Sequence, residues 1–338
     1  MSKPKINIVW LKRDLRTQDH APFLAAENAG LPYLILFLYE PSLISYPDTS
    51  DRHLQFSFHS IKVMNETLSK TNQRVLECYG EAEEIFNHFT KQYSVKNVFS
   101  YRESGINETW KRDKTVKKIF DKKNINWTEF QRDNILRGIK DRKNWDKIWY
   151  QTMNIPALVN SYSQKEVWKV KNPLELPSDF INKLENYPPS YQPAGEKNGW
   201  KYLQSFVAQR GKNYNRHISK PTESRLSCGR ISPYISWGNL SVKQASQFVV
   251  TQPNYKPNKR AFDGMLTRLK WHCHFIQKFE VECEYETDCL NPGYESLVQA
   301  NNKQFLVAWK QGKTGYPLVD ACMRAVTETG WINFRMRA

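Results

Sequence analysis

The chain has 338 residues, 40% hydrophobic and 25% charged, which describes a soluble globular protein too long for one ordinary domain. Fifty Lys and Arg against 34 acidic residues leave a net charge of +16, which favours a polyanionic partner, most simply nucleic acid; a lysine-rich solubilising surface is the bland alternative. No apolar run reaches the roughly 18 residues of a membrane helix, and residues 1–7 hold no signal-peptide core, so a membrane partner is excluded and the cytoplasm is the expected location.

Residues 6–11 (Ile-Asn-Ile-Val-Trp-Leu) read as a buried parallel strand. The charged turn Lys12-Arg13-Asp14-Leu15-Arg16 follows at its carboxyl end, where open α/β sheets place ligands. The alternation continues with a helix over 21–29, a strand over 33–39, a helix over 50–68 and a strand over 74–79. A helix over 82–93, a strand over 97–101, a helix over 109–122 and a strand over 125–130 complete it. Five strands alternating with helices predict an N-terminal doubly wound parallel sheet over residues 1–131. No Gly-x-Gly-x-x-Gly follows the first strand, which argues against a nicotinamide dinucleotide site. Asn107 reads as a helix cap with Glu108 in the first turn.

From 132 to 195 the periodicity weakens. Prolines 156, 173, 177, 188, 189 and 193 mark a connector wrapped over the surface, with a short helix over 145–153. From 196 to 338 the patterns are helical, so an all-α domain is expected. The six cysteines, at 78, 228, 273, 283, 289 and 322, form no Cys-x-x-Cys pair and read as reduced, mostly buried thiols. His272-Cys273-His274 invites a zinc hypothesis, but adjacent ligands diverge on a helix and no second pair lies nearby, so no metal is expected. Thirteen per cent aromatics, including 11 tryptophans, suit stacking on bases or on a flat cofactor, with most still in the core.

Near the end, Trp309-Lys310-Gln311-Gly312-Lys313-Thr314-Gly315-Tyr316-Pro317 turns into a helix with apolar residues at 318, 319, 321, 322, 325 and 326, stopped by Gly330. Gly330-Trp331-Ile332-Asn333-Phe334-Arg335-Met336-Arg337 then pairs two arginines with aromatic neighbours. These two stretches together resemble the flavin-binding region of the photolyase/cryptochrome family. Val9 to Arg16 is similar to that family's opening strand, W-F-R-R-D-L-R, and Ser227 to Ser241 to its segment T-S-R-L-S-P-Y-L-x-x-G.

The resemblance implies an incomplete all-α domain holding FAD. Cofactor contacts would come from Tyr214, Cys228, Gly229, Arg230, Ile231 and Ser232, and from Arg268, Trp271, Phe275 and Arg337. Damaged DNA would be met by Arg216, Trp271, Phe334 and Arg335. Cys228 and Gly229 replace the more usual Thr and Ser. Arg268 stands where the pyrimidine-dimer enzymes carry a base-contacting Glu, and His272 and Cys273 replace an Arg and an acid. The Asn107-Glu108 segment is similar to one beside the family's folate antenna (methenyltetrahydrofolate), an alternative to the helix cap.

Three functions follow. Light-driven repair of pyrimidine dimers by electron transfer from reduced FAD comes first, then a cryptochrome-type photoreceptor, which the Arg268, His272 and Cys273 departures favour. A non-catalytic nucleotide- or nucleic-acid-binding protein is the third. A monomer is expected. Trp309 and Trp331 read as packing residues rather than electron relays. The pattern stops at Ala338 without a helix stop signal, which reads as a truncated protein that binds FAD weakly or not at all.

Overall fold

Each of the five predicted strands forms: β1 (Lys5–Leu11), β2 (Tyr33–Tyr39), β3 (Val75–Tyr79), β4 (Ser94–Tyr101) and β5 (Asn126–Phe130). All pairings are parallel, in the order β3-β2-β1-β4-β5. The computed structural model describes residues 3–166, 170, 172, 174–298 and 300–337; Pro173 and Ala338, both singled out above, lie outside them.

Side chains alternate across the sheet with period two, and both faces are covered. Ile6, Ile8 and Trp10 of β1 join Leu34, Leu36 and Leu38 of β2 on one face, against Phe86, Phe89 and Phe120. Val9, Leu11, Ile35, Phe37 and Tyr39 take the other, against Phe58, Ile61 and Met64. Burying each such side chain stabilises the fold by about 1.5–3 kcal/mol. β1 pairs with β2 on one side and β4 on the other, so the winding reverses at its carboxyl end. That reversal opens a crevice where the Lys12–Arg16 turn leaves the sheet.

The turn itself joins the two halves. Leu15 N donates to Trp237 O at 3.0 Å, Arg16 Nη1 to Gly238 O at 3.1 Å, and Asn239 Nδ2 to Leu15 O at 2.7 Å. Ser241 Oγ donates to Asp19 Oδ2 at 2.6 Å, and Lys243 pairs with the same carboxylate at 2.9 Å. Beneath it the Asp14 carboxylate lies 2.8 Å from His20 Nε2, with both side chains fully buried.

The connector wraps the α/β half: Asn160 bonds Gln18 and His20, Lys165 pairs with Glu27, and Asn172 donates to Glu77 O. Its helix, Trp145–Asn154, buries Trp145 and Trp149 in the core of the helical half. The long helix Lys259–Val281 crosses that core through Phe262, Met265, Leu269 and Cys273.

One expectation fails here. The helix Pro317–Thr329 starts at its proline and stops at a left-handed Gly330 as expected, yet only Asp320 and Cys322 of it are buried. Leu318 is 63% exposed, and Trp309, expected to pack, is 46% exposed on the preceding helix Lys303–Lys310. Helical spacing shows which residues share a face; it does not supply what covers that face. Asp320 instead fixes the glycine turn, accepting from Thr314 N and Oγ1 and from Gly315 N. Cys283 and Cys289 are exposed and the other four cysteines buried, all of them free thiols. Among the described residues no helix is long and apolar enough to cross a membrane.

Candidate functional site

Between two short helices, Pro221–Ser227 and Ser232–Ser236, the chain makes a turn through Cys228, Gly229, Arg230 and Ile231. Arg230 adopts φ +56°, a left-handed conformation uncommon outside glycine. Gln192 Nε2 holds its carbonyl at 2.7 Å, and its guanidinium lies over Trp331 at 4.9 Å and Tyr202 at 5.7 Å. Arg210 Nη1 donates to the Leu226 and Cys228 carbonyls, each at 2.6 Å. Arg225 donates to Thr329 Oγ1 at 3.0 Å, its guanidinium carbon 5.8 Å from the Trp331 ring centroid. Burial, then the neighbouring guanidinium, pulls Arg210 below its ordinary pKa. Arg230 is lowered by burial too, with Arg225 adding to it. Burial pushes the Cys228 thiol up to about 11, so it stays protonated among these cations. Among the described residues no ion pair reaches Arg210, Arg225, Arg230 or Arg268.

The helix Lys259–Val281 carries the second group. Arg268, Trp271 and Phe275, three and seven residues apart, share one face, while Leu269, Cys273 and Gln277 are buried on the other. The Arg268 guanidinium carbon lies 4.1 Å from the Trp271 ring centroid and 5.1 Å from that of Phe334. Trp271 lies edge-on to both Phe275 and Phe334, with ring centroids 6.4 Å apart in each case. All three rings are substantially exposed. Tyr214 is buried beneath, its hydroxyl pushed up to about 12 by burial, with Arg268 pulling the other way.

The remaining candidates separate. Ser232 and Arg216 are exposed, as is Arg335, whose Nε donates to Ser219 Oγ at 3.3 Å. Arg337 does not join the arginine cluster but lines a cavity between the two halves. Asn333, given no role from sequence, is almost fully buried: it donates to Ser224 Oγ at 2.7 Å and accepts from Met336 N at 2.9 Å. It is the pin that holds the Trp331–Arg337 segment, and its polar type within an aromatic run was the available signal. His272, inside the helix, is held below its ordinary pKa by burial.

The cavity, about 590 Å³, sits at the carboxyl ends of β1 and β2 and reaches Trp237 and Trp331 of the helical half. Arg112 anchors it through Glu40 at 2.8 Å and Glu103 at 2.6 Å. Glu40 Oε2 is buried without a partner. Sequence reasoning missed this site because its residues come from segments spread across the chain, from Trp10 to Arg337. Asn107 and Glu108 do not line it. Asn107 is the first helical residue rather than the cap, and its N–H donates to Glu286 at 2.8 Å. Glu108 pairs with Lys111 at the surface.

Known families match both halves of this architecture: DNA photolyase over residues 7–151 and the FAD binding domain of DNA photolyase over residues 265–338. The chain belongs to the photolyase/cryptochrome family. The deoxyribodipyrimidine photo-lyase of Buchnera aphidicola is 27% identical, the match covering 98% of this chain and 71% of that one. Cryptochrome DASH of Synechocystis is 24% identical over 99% of this chain and 72% of its own length. The fold is shared with an archaeal photolyase from Sulfolobus tokodaii solved with two FAD molecules, at a TM-score of 0.76 and 21% identity. That alignment covers 98% of this chain and 73% of the other.

Proposed function

We propose that this chain is a photolyase-type flavoprotein that holds FAD against its arginine cluster and receives a pyrimidine dimer, flipped from duplex DNA, at the Trp271–Phe334 mouth. The observation that carries this reading is a buried donor, Arg230 Nε, that has no partner among the described residues and sits beside the Arg210 and Arg225 guanidiniums, none of which meets a carboxylate there. Clustered unpaired charge is costly unless an anion offsets it, and a dinucleotide diphosphate is such an anion. Arg225 and Arg230 would hold the diphosphate, while Arg210, its donors spent on Ser205 and on the Tyr202, Leu226, Cys228 and Gly229 carbonyls, fixes the turn and adds positive charge. Ser232 would add a hydroxyl donor, and Tyr214 and Arg268 would border the ring system.

The chemistry a bound FAD would supply is one electron, given by the reduced, light-excited flavin to a cyclobutane pyrimidine dimer, whose ring opens before the electron returns. The chain's own residues bind and orient. Trp271 offers a flat surface for an unstacked base, and Arg216 and Arg335 offer exposed charge to the phosphate backbone. No step needs a general acid or base, so the protonated Cys228 and the neutral, buried His272 do not impede it. The interdomain cavity suits a second chromophore, a folate or another flat group: the unpaired Glu40 oxygen can accept ring N–H donors, and Arg112 can offset negative charge.

The alternative is a blue-light photoreceptor that keeps the flavin and repairs nothing, favoured by the guanidinium already stacked on Trp271. Reconstitution with excess FAD, followed by illumination with dimer-containing DNA under reducing conditions, separates the two. Flavin absorption with light-dependent dimer loss supports repair. Flavin absorption without repair moves the reading to the photoreceptor, and no flavin binding sinks both.

A further inference from the structure

We propose that Arg268 decides which pyrimidine dimer the mouth accepts, by presenting hydrogen-bond donors alone to the edges of the flipped bases; this rests on the DNA-directed reading above. Arg268 is oriented by its surroundings rather than by an ion pair. Its guanidinium carbon is 4.1 Å from the Trp271 centroid and 5.1 Å from that of Phe334. Its Nη1 is buried and has no hydrogen-bond partner among the described residues. The flanking Tyr214 and Cys228 hydroxyl and thiol are both kept protonated by burial, so neither neutralises it. A cation locked against two exposed rings, with one donor unspent, asks its ligand for an acceptor.

A guanidinium has five N–H donors and no acceptor. The cyclobutane ring of a dimer joins C5 and C6 of its two bases, so the N3 edge of each base stays free to be read. Cytosine presents N3 and O2 there, two adjacent acceptors that match the planar fork. Thymine and uracil present an imide N3–H between two carbonyl oxygens, and a fork aligned on N3 and O2 meets N–H against N–H. The mismatch leaves a buried donor unsatisfied on each partner, a penalty on the order of tenfold in affinity. The mouth should therefore prefer cytosine-containing dimers. A carboxylate at the same place would do the reverse, accepting from the imide N3–H. The methyl groups of thymine play no part, so uracil and thymine dimers should behave alike.

The test is binding in the dark, which does not depend on the light reaction. The full chain with FAD added is titrated, by fluorescence anisotropy, against duplexes carrying one cytosine–cytosine, uracil–uracil or thymine–thymine dimer, and against undamaged duplex. The cytosine dimer is used freshly prepared, before it deaminates. The expected result is binding about tenfold tighter to the cytosine dimer than to the other two. Arg268→Glu reverses that order. Arg268→Gln, which can both donate and accept, flattens it and keeps the test open should Arg268→Glu fail to fold. Equal binding of all three dimers by the wild type, or an order unchanged in the variants, overturns the proposal. Binding of every dimer no better than undamaged DNA overturns the DNA-directed reading itself, and the proposal with it.

Discussion

Gly238 approaches Arg13 so closely that a Cβ there would lie 2.2 Å from the Arg13 carbonyl oxygen and 2.6 Å from the Asp14 Cα. Its φ of +68° is also left-handed, so two independent constraints demand glycine at the seam between the halves. Gly238→Ala must push the Lys12–Arg16 turn away and weaken the Leu15–Trp237 and Arg16–Gly238 hydrogen bonds. The expected loss is about 2–4 kcal/mol in a denaturant melt, combining backbone strain with lost seam contacts. A loss within about 0.5 kcal/mol, the range of an ordinary surface change, would show that the seam yields freely.

The Arg112 cluster should make stability depend on pH at the acid end. Burial alone would raise the Glu103 carboxyl, but Arg112, Lys12 and Arg13 hold it down at about 2. A depressed carboxyl contributes stability that is present above its unfolded pKa and lost as pH falls through the folded one. The window is therefore from about pH 4.5 down to about 2, and the amount at stake is on the order of 3 kcal/mol. Glu40 is raised by burial despite Arg112, so its own share runs the opposite way and offsets part of this. Comparing urea melts of wild type and Glu103→Gln between pH 5 and pH 2 isolates the effect: the variant should start less stable and fall less steeply. Parallel curves would mean that Glu103 is not held down.

Much of this molecule was legible because local pattern and tertiary environment agree. β1 and β2 are nearly continuous apolar runs, which belong at the centre of a covered parallel sheet, while the edge strand β5, Asn-Trp-Thr-Glu-Phe, was legible from its place in the strand–helix alternation. The Lys12–Arg16 turn could be placed at the carboxyl end of β1 from its charge and position, though its bonds to Trp237 and Gly238 could not. Pro317 and Gly330 bound their helix because each imposes a backbone conformation. What stayed hidden depends on convergence. Arg210 and Arg225 join Arg230 only after folding, and neither sits in a recognisable motif. The interdomain cavity draws Glu40, Glu103, Arg112 and Trp331 from across the chain. Arg335 and Arg337, two apart in sequence, diverge because the backbone from Phe334 is a 3-10 turn rather than a strand. Trp309 is apolar on an apolar face, which spacing cannot distinguish from a buried one.

Arg230 should show stability and function pulling apart. Its left-handed backbone is one that glycine adopts without cost, and its charge sits among Arg210 and Arg225. Arg230→Gly relieves both and gives up a stacking contact on Trp331 worth about 0.5–1 kcal/mol. The cofactor-free protein should therefore be unchanged or up to about 1 kcal/mol more stable. Affinity for FAD should fall by about tenfold or more, because a charge-assisted hydrogen bond to an anion is worth roughly 1.5–3 kcal/mol. Flavin fluorescence titration beside thermal melts gives both numbers. Unchanged affinity would remove Arg230 from the cofactor site.

The surface cations and the aromatic mouth should divide DNA binding between them. Arg216 and Arg335 are exposed and pair with no carboxylate among the described residues, as befits contacts to phosphate rather than to bases. Each substitution to Ala should weaken binding to damaged and undamaged duplex by similar factors. Each should also reduce the slope of log K against log salt by about 0.9, the signature of one counterion retained. Trp271→Ala should leave that slope unchanged and instead cost about 1–3 kcal/mol on dimer-containing DNA alone, the usual worth of one base stacked on an aromatic ring. Anisotropy titrations at several salt concentrations separate the two kinds of loss. A Trp271→Ala variant that weakens both duplexes equally would place the ring under the backbone instead of under a flipped base.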